Sequence, residues 1–188
     1  PYNAISSFAL NPIYVNPKLA ADYCNKITQG KFESKIEALL EKYAPKGEKL
    51  NKKSAVDYEG VIKLKDRFLR DLYAVCGKDI CSSKAFEKFV AANNSWLRPY
   101  AIFCSLRDRY KSTDSSLWNE LQCYNKAEAE AYYKKNAKRV DFYTFVQLLL
   151  DNELLGVKKY AHRLGVTLKG DIPIGVSPCS VDVWSDPE

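Results

Sequence analysis

The sequence predicts an α/β chain that is mostly helical with few strands. Three observations carry that prediction. Apolar residues recur at helical spacing through most of the 188 residues. Val166, Leu168, Ile172, Ile174 and Val176 then alternate as β-formers. A helical pattern closed by Gly165 leads directly into that alternation, the order of helix, glycine and strand found in the αβ half of a βαβ unit. Gly170, Pro173 and Gly175 interrupt the run, so regular pairing should stop near Asp171. A carboxylate at the C-terminal end of a strand is where α/β proteins place functional groups. A simple turn aspartate is the alternative.

The elements follow in chain order. Residues 1–15 read as a polar, aromatic loop with a turn at Asn11-Pro12. Asn16 is an N-cap with Pro17 at the first helical position. Ser34 and Glu37 form a capping box for a helix over residues 34–44, with Ile36, Leu39, Leu40 and Tyr43 on its apolar face. Pro45-Lys46-Gly47 is expected to end it, and residues 47–54 to form an exposed Lys-rich loop. Asp57 opens a longer helix with Val61, Leu64, Phe68, Leu69, Leu72 and Tyr73 on one face, which Gly77 should stop. Ser83 caps residues 85–92, and Asn93-Asn94-Ser95 should start a separate helix through Arg107. Residues 112–119 are a polar loop with Trp118 exposed or half packed, and residues 126–138 a Lys/Glu/Ala helix. Asp141 caps the last long helix, which Gly165 closes as a C′ residue. His162, in its last turn, complements the helix dipole.

Composition narrows the function classes. A net charge of +6 with acidic and basic residues mixed gives no basic stripe, so nucleic acid is not an expected partner. Thirteen Tyr and three Trp suit a core as readily as a carbohydrate site. The six cysteines include one close spacing, 76–81, and the chain has one His, so a zinc site is not expected. There is no apolar run long enough to cross a membrane, and free thiols in a cytoplasmic protein are the expectation. The chain holds no Met and begins at Pro1, which reads as an internal piece of a longer protein, an engineered sequence being the alternative.

Several stretches together resemble one family. Pro1-Tyr2-Asn3-Ala4-Ile5-Ser6-Ser7-Phe8-Ala9-Leu10-Asn11-Pro12 is similar to the Ser-Pro-Tyr-x-x-x-Ser-x-Phe-Ala-x-Asn-Pro loop of the 4-α-glucanotransferases (amylomaltases or disproportionating enzymes, glycoside hydrolase family 77) without its first residue. Phe142-Tyr143-Thr144-Phe145-Val146-Gln147 resembles the family's Phe-Tyr-x-Phe-x-Gln helix. Residues 165–184 resemble Gly-Val-x-Leu-Lys-Gly-Asp-Ile-Pro-Ile-Gly-Val followed by Ser-x-Asp-x-Trp, here Ser180-Val181-Asp182-Val183-Trp184. Trp96-Leu97-Arg98-Pro99-Tyr100-Ala101-Ile102-Phe103 is also similar. The Leu-Lys-Gly-Asp-Ile-Pro-Ile-Gly-Val form of residues 168–176 looks closest to the larger, cytosolic-type branch. Pro178-Cys179 departs from that branch, which commonly has Arg or Ser-Arg there.

The resemblance implies a partial (β/α)8 TIM barrel: residues 1–15 a barrel loop and strand, 16–80 a helical insertion, and 81–188 barrel helices and a strand of the catalytic domain. It implies that Tyr2, Ser6, Ser7 and Asn11 line substrate, that Asp171 points into a glucan cleft, and that Ser180, Asp182 and Trp184 shape its rim. The alternative for each is structural: Ser7, Asn11 and Ser180 hold loops and Trp184 packs. The implied partners are α-1,4-glucans (maltose, maltooligosaccharides, glycogen or heteroglycan), with no cofactor. Retaining transfer needs two carboxylates about 5–5.5 Å apart. The family's Arg-Ile-Asp-His nucleophile segment and its later acid/base Glu are absent here, and Arg139-Val140-Asp141 lacks the His. The chain alone is therefore expected to be inactive. A non-catalytic glucan-binding module and a helical interaction protein are the other classes left open.

Overall fold

A computed structural model describes residues 4–171 and 175–186. The described residues form six α-helices and two short 3-10 turns, with no strand. The helices are α1 (Pro17–Ile27), α2 (Glu33–Asn51), α3 (Tyr58–Cys81), α4 (Lys84–Tyr110), α5 (Lys126–Arg163) and α6 (Val181–Ser185). The turns are Pro12–Tyr14 and Ser115–Leu117. The chain forms two compact units, which cut across the sequence segments 16–80 and 81–188. One is Pro1–Ala9, Val90–Thr144 and Lys169–Glu188; the other is Leu10–Phe89 and Phe145–Leu168.

In the second of these units, α1, α2 and α3 pack against one another. Asn16 caps α1 as expected, its side chain accepting from the N–H groups of Lys18 and Leu19, with Pro17 at the start. Asp57 caps α3 by accepting from the Gly60 N–H at 2.8 Å. The core includes Val15, Ala21, Cys24, Ile36, Phe68, Leu69, Leu72, Cys76, Ile80, Phe145 and Leu149. The Cys76 thiol beside it, and then burial, push the Cys24 thiol far above its usual range, so Cys24 stays neutral inside the core. All six cysteines are free. Gln147, buried on α5, grips the Leu10 backbone with both ends of its amide: it accepts from the Leu10 N–H and donates to the Leu10 carbonyl, each at 2.9 Å.

Three expected helix ends in the sequence are not where the structure puts them. Residue 32, not Ser34, precedes α2, and no side-chain cap bond forms there, so the Ser34–Glu37 capping box is not made. The helix then runs through Pro45 and Gly47 to Asn51, leaving only the last residues of the expected 47–54 loop irregular. Pro45 costs a helical hydrogen bond, but tertiary contacts on both sides of it hold the helix. The Tyr43 ring meets Phe68 edge-on at 5.7 Å, Tyr43 and Lys42 both donate to Asp71, and a Cβ on Gly47 would touch Leu64 at 3.9 Å. Gly77 likewise does not stop α3, which continues to Cys81. The glycine is there for space: a Cβ would lie 2.3 Å from the Tyr73 ring, which is itself held against Phe145.

In the other unit, α4 crosses Asn93-Asn94-Ser95 and Pro99 without a break, so the two expected helices are one. Ser83 still caps it, accepting from the Phe86 N–H at 3.2 Å. Leu97, Tyr100, Ile102, Phe103, Cys104 and Leu106 are buried along its continuation. That burial outweighs the weak helix preference of the Asn-Asn-Ser run. Burial pushes the Cys104 thiol up to about 11. Arg107 donates to Asp108 at 2.9 and 3.1 Å, and Tyr143 donates to the same carboxylate.

The two helices expected over residues 126–138 and from Asp141 are joined, and the break falls at Asn136, not at Asp141. Asn136 leaves helical geometry (φ −125°, ψ 21°) while its amide donates to the Tyr132 carbonyl at 3.0 Å. The side chain thus satisfies an acceptor that the kink frees. Asp141 sits past the kink and accepts from the Tyr133 hydroxyl at 3.1 Å instead of capping. At the far end of α5 the Gly165 expectation holds. Gly165 has φ +71°, the Val166 N–H reaches the Ala161 carbonyl at 2.9 Å, and the Gly165 N–H reaches that of His162 at 3.0 Å, which is a Schellman closure.

The expected strand after Gly165 does not form. Residues 166–171 are irregular, and Val166 and Leu168 are about half exposed. Alternating β-formers specify a strand only when another strand supplies the ladder, and the described residues offer none. Among the described residues no helix is long and apolar enough to cross a membrane.

Two predictions follow from this packing. Gly→Ala inside an ordinary helix stabilises by roughly 0.5–1 kcal/mol; Gly77→Ala should instead destabilise by about 1–3 kcal/mol through overpacking, read as a lower midpoint in thermal or urea unfolding. Burial raises the Asp141 carboxyl above its ordinary range, against smaller opposing effects of Tyr133 and Arg98. A raised acid favours the fold most below its ordinary pKa and loses that contribution as pH rises through the raised value. Asp141→Asn, which can still accept from Tyr133, should therefore melt above the wild type at pH 7. The gap should close on acidification below about pH 3.9.

Candidate functional site

The residues singled out by the sequence do not all come together. Ser6, Ser7, Ser180, Asp182 and Trp184 come together in one unit. Asn11 lies in the other unit, where its side chain accepts from the Ile13 N–H at 3.0 Å and caps the Pro12–Tyr14 turn. Tyr2 lies outside the described residues. Asp171 is exposed after Gly170, and residues 172–174 beyond it are also outside the described residues.

The assembled group is built from the C-terminal helix upward. The buried Ser180 caps α6, accepting from the Val183 N–H at 3.3 Å, and its own N–H donates to the Ser177 carbonyl at 2.9 Å. One face of α6 carries Val181 and Trp184 inward. The Trp184 ring meets Phe103, Trp118 and Tyr124 edge-on at 5.6, 5.8 and 5.0 Å. Its indole N–H donates to the buried Leu121 carbonyl at 2.8 Å. Leu121 has φ +53°, a left-handed conformation that costs a non-glycine residue roughly 1–2 kcal/mol. The strained carbonyl and the indole N–H fix each other. Trp118, expected to be exposed or half packed, is fully buried here, because its indole N–H finds the Ser112 carbonyl at 3.0 Å and its ring finds Phe103 and Tyr110.

The first residues of α6 hold the N-terminal loop. The Val181 N–H donates to the Ile5 carbonyl at 2.8 Å, and the Ser7 N–H to Asp182 Oδ2 at 2.9 Å. Ser6 Oγ then accepts from both the Phe8 and Ala9 N–H groups at 3.1 Å. The first and last motifs of the chain, 175 residues apart, are thereby tied into one structure. The Ser6 hydroxyl and the Ser180 hydroxyl are consumed in holding backbone. The Ser7 side chain is exposed, while the half-buried Asp182 carboxylate is itself part of the tie through its bond to the Ser7 N–H.

Sequence reasoning did not single out Phe8, Trp96 or Leu121. Phe8 is exposed on the loop and stacks on Trp96 with ring centroids 6.2 Å apart and planes 15° apart. Leu121 carried no signal, since a positive φ at leucine is imposed by its surroundings. Among the described residues no group of three or more His, Cys, Asp and Glu side chains could hold a metal ion. A cleft of about 610 Å³ lies in the other unit, lined largely by apolar side chains of α2 and α3. At its edge Lys65, its charge disfavoured by burial, donates to the Ile13 carbonyl. It holds none of the residues that the motifs single out.

The family profile described as 4-alpha-glucanotransferase matches residues 1–188. This chain belongs to the 4-alpha-glucanotransferase family. A 4-alpha-glucanotransferase DPE2 from Oryza sativa subsp. japonica is 31% identical over 195 residues, covering 100% of this chain and 19% of that protein. A 4-alpha-glucanotransferase from Chlamydia muridarum is also 31% identical, over 186 residues, covering 98% of this chain and 33% of its own length. The chain thus spans about a fifth to a third of these relatives, and equal identity to both does not single out a branch. In fold, the chain is similar to an amylomaltase from Streptococcus agalactiae solved in complex with acarbose: TM-score 0.71, 18% identity, over 100% of this chain and 35% of that one.

Trp184→Phe shrinks the indole to a phenyl ring and deletes the N–H, leaving a gap in the aromatic cluster and the Leu121 carbonyl buried without its donor. It should cost about 1–3 kcal/mol and lower the near-UV circular dichroism of the aromatic cluster, with far-UV helicity retained. An unchanged unfolding midpoint would show that the indole–carbonyl bond contributes nothing to the fold.

Proposed function

We propose that this chain is part of a 4-α-glucanotransferase that moves α-1,4-glucan segments between glucan donors and acceptors by retaining transfer. The observation that carries the proposal is the family match over residues 1–188. The acarbose bound by the Streptococcus agalactiae amylomaltase supports a glucan ligand. The parent protein would break one α-1,4 bond, hold the sugar as a glucosyl ester and pass it to the 4-hydroxyl of a second glucan. That chemistry needs a carboxylate nucleophile and a carboxylic acid/base about 5–5.5 Å apart. The Arg-Ile-Asp-His segment that would carry the first is absent from this sequence.

The role proposed for this chain is therefore to hold glucan. Asp171 is the residue proposed to reach into the cleft: it follows a glycine, is exposed, and can accept from sugar hydroxyls. Ser7 is proposed as a rim contact, since its side chain is exposed, and Asp182 as a rim residue that holds the Ser7 backbone through Oδ2. Ser6, Ser180 and Trp184 serve the same surface by fixing its backbone, as their hydrogen bonds favour. Tyr2 and Asn11 complete the proposed substrate-lining set. A (β/α)8 barrel is the proposed setting, in which residues 166–171 would gain strand partners from outside this chain and 16–80 would be an insertion. The cytoplasm is the proposed compartment, consistent with six free thiols.

The purified 188-residue chain should show no disproportionation of maltotriose, assayed by glucose release. It should bind maltoheptaose in calorimetry, and Asp171→Ala should weaken that binding by about tenfold or more, the effect of losing a charge-assisted hydrogen bond. Turnover by the chain alone would defeat the inactive assignment, and unaltered binding in Asp171→Ala would remove that residue from the site.

A further inference from the structure

Phe8 is placed against the usual preference of its side chain. It is 64% exposed, on a loop whose backbone is fixed on both sides of it. The Ser7 N–H is held by Asp182, and the Phe8 and Ala9 N–H groups are both held by Ser6 Oγ. A loop with free torsions would turn a phenyl ring inward, because burying one is worth about 1.5–3 kcal/mol. Here the hydrogen bonds hold it out. The ring is also supported from behind. Trp96 lies near-parallel to it, and Trp96 is itself fixed by its indole N–H to Asn93 Oδ1 at 3.1 Å and by the Tyr100 ring at 6.3 Å.

The result is a rigid, flat apolar face one ring wide, with polar groups at its margin. Ser7, the adjacent residue, exposes its side chain, and the Asp182 carboxylate reaches the Ser7 N–H. A protein partner would need a broader apolar patch, and the exposed Ser7 borders Phe8. A pyranose has the matching shape: one face of C–H groups that packs on an aromatic plane, and equatorial hydroxyls that reach a polar margin. We infer that Phe8, backed by Trp96, is an aromatic platform on which one glucosyl ring of an α-1,4-glucan stacks, an inference that rests on the glucanotransferase reading above. The exposed Ser7 then takes a hydroxyl of the stacked ring. Ser6 and Asp182 act as positioning residues, since they set the direction in which the ring points.

The test is titration of the 188-residue chain with maltoheptaose, followed by calorimetry and by tryptophan fluorescence, in which the half-buried Trp96 reports on the platform. Phe8→Ala should bind about fivefold to tenfold more weakly, the range of an aromatic contact. Phe8→Leu, apolar but not flat, should lose as much, and Phe8→Tyr should stay within about twofold of the wild type. All three should keep the wild-type helical signal and unfolding midpoint, because the side chain is exposed. If Phe8→Ala binds as the wild type does while Asp171→Ala does not, the platform is overturned and the glucan site stands. If the wild type shows no saturable binding of maltoheptaose, both are overturned.

Discussion

The hydrogen bond from the Trp184 indole to the Leu121 carbonyl holds the candidate site together. It is buried, it joins residues 63 positions apart, and it satisfies a carbonyl whose own residue sits in left-handed geometry. Because the bond is in a low-dielectric aromatic cluster, losing either partner strands a polar group without water. α6 is only five residues long and could not persist on helix propensity. It persists because Ser180 caps it and Trp184 nails it to the cluster. Everything that faces outward from the site is hung on that short helix: Val181 holds Ile5, Asp182 holds Ser7, and Ser6 then sets the turn that carries Phe8.

The same logic of long-range satisfaction governs the other unit. Gln147 is a polar side chain inside an apolar helix face, and it is tolerated because both ends of its amide meet the Leu10 backbone. Two residues with helix-breaking reputations sit inside helices because their neighbours need them there. Pro45 is bracketed by contacts to α3, and Gly77 gives the Tyr73 ring room to lie against Phe145. In each case a local preference worth about 1–3 kcal/mol is outweighed by packing that no local window contains.

The membership of the 4-alpha-glucanotransferase family and the geometry constrain function in different ways. The family match covers the whole chain but only part of its relatives, so it bears on what the chain belongs to and not on what it does alone. The geometry bears on which of the motif residues are free to meet a ligand. Of the serines, Ser6 and Ser180 are committed to backbone and Ser7 is exposed; of the carboxylates, Asp141 is committed to Tyr133 and Asp182 to the Ser7 N–H, while Asp171 stands at an exposed position.

What the sequence by itself determined was local or carried by motif. Asn16, Asp57, Ser83 and Gly165 were legible as caps because capping is settled within four residues. The family was legible because its motifs recur in order. The tertiary structure alone decided the rest. It decided that α2, α3 and α4 run through their expected ends, that the kink in α5 belongs to Asn136, and that Trp118 is buried. It also decided that the alternation after Gly165 stays irregular among the described residues. Each of these depends on a partner distant in the chain or, for the strand, on a ladder that must come from elsewhere. The tie between residues 5–7 and 181–182 is of the same kind: hydrogen bonding chooses its partners in space, and sequence spacing carries no record of that choice.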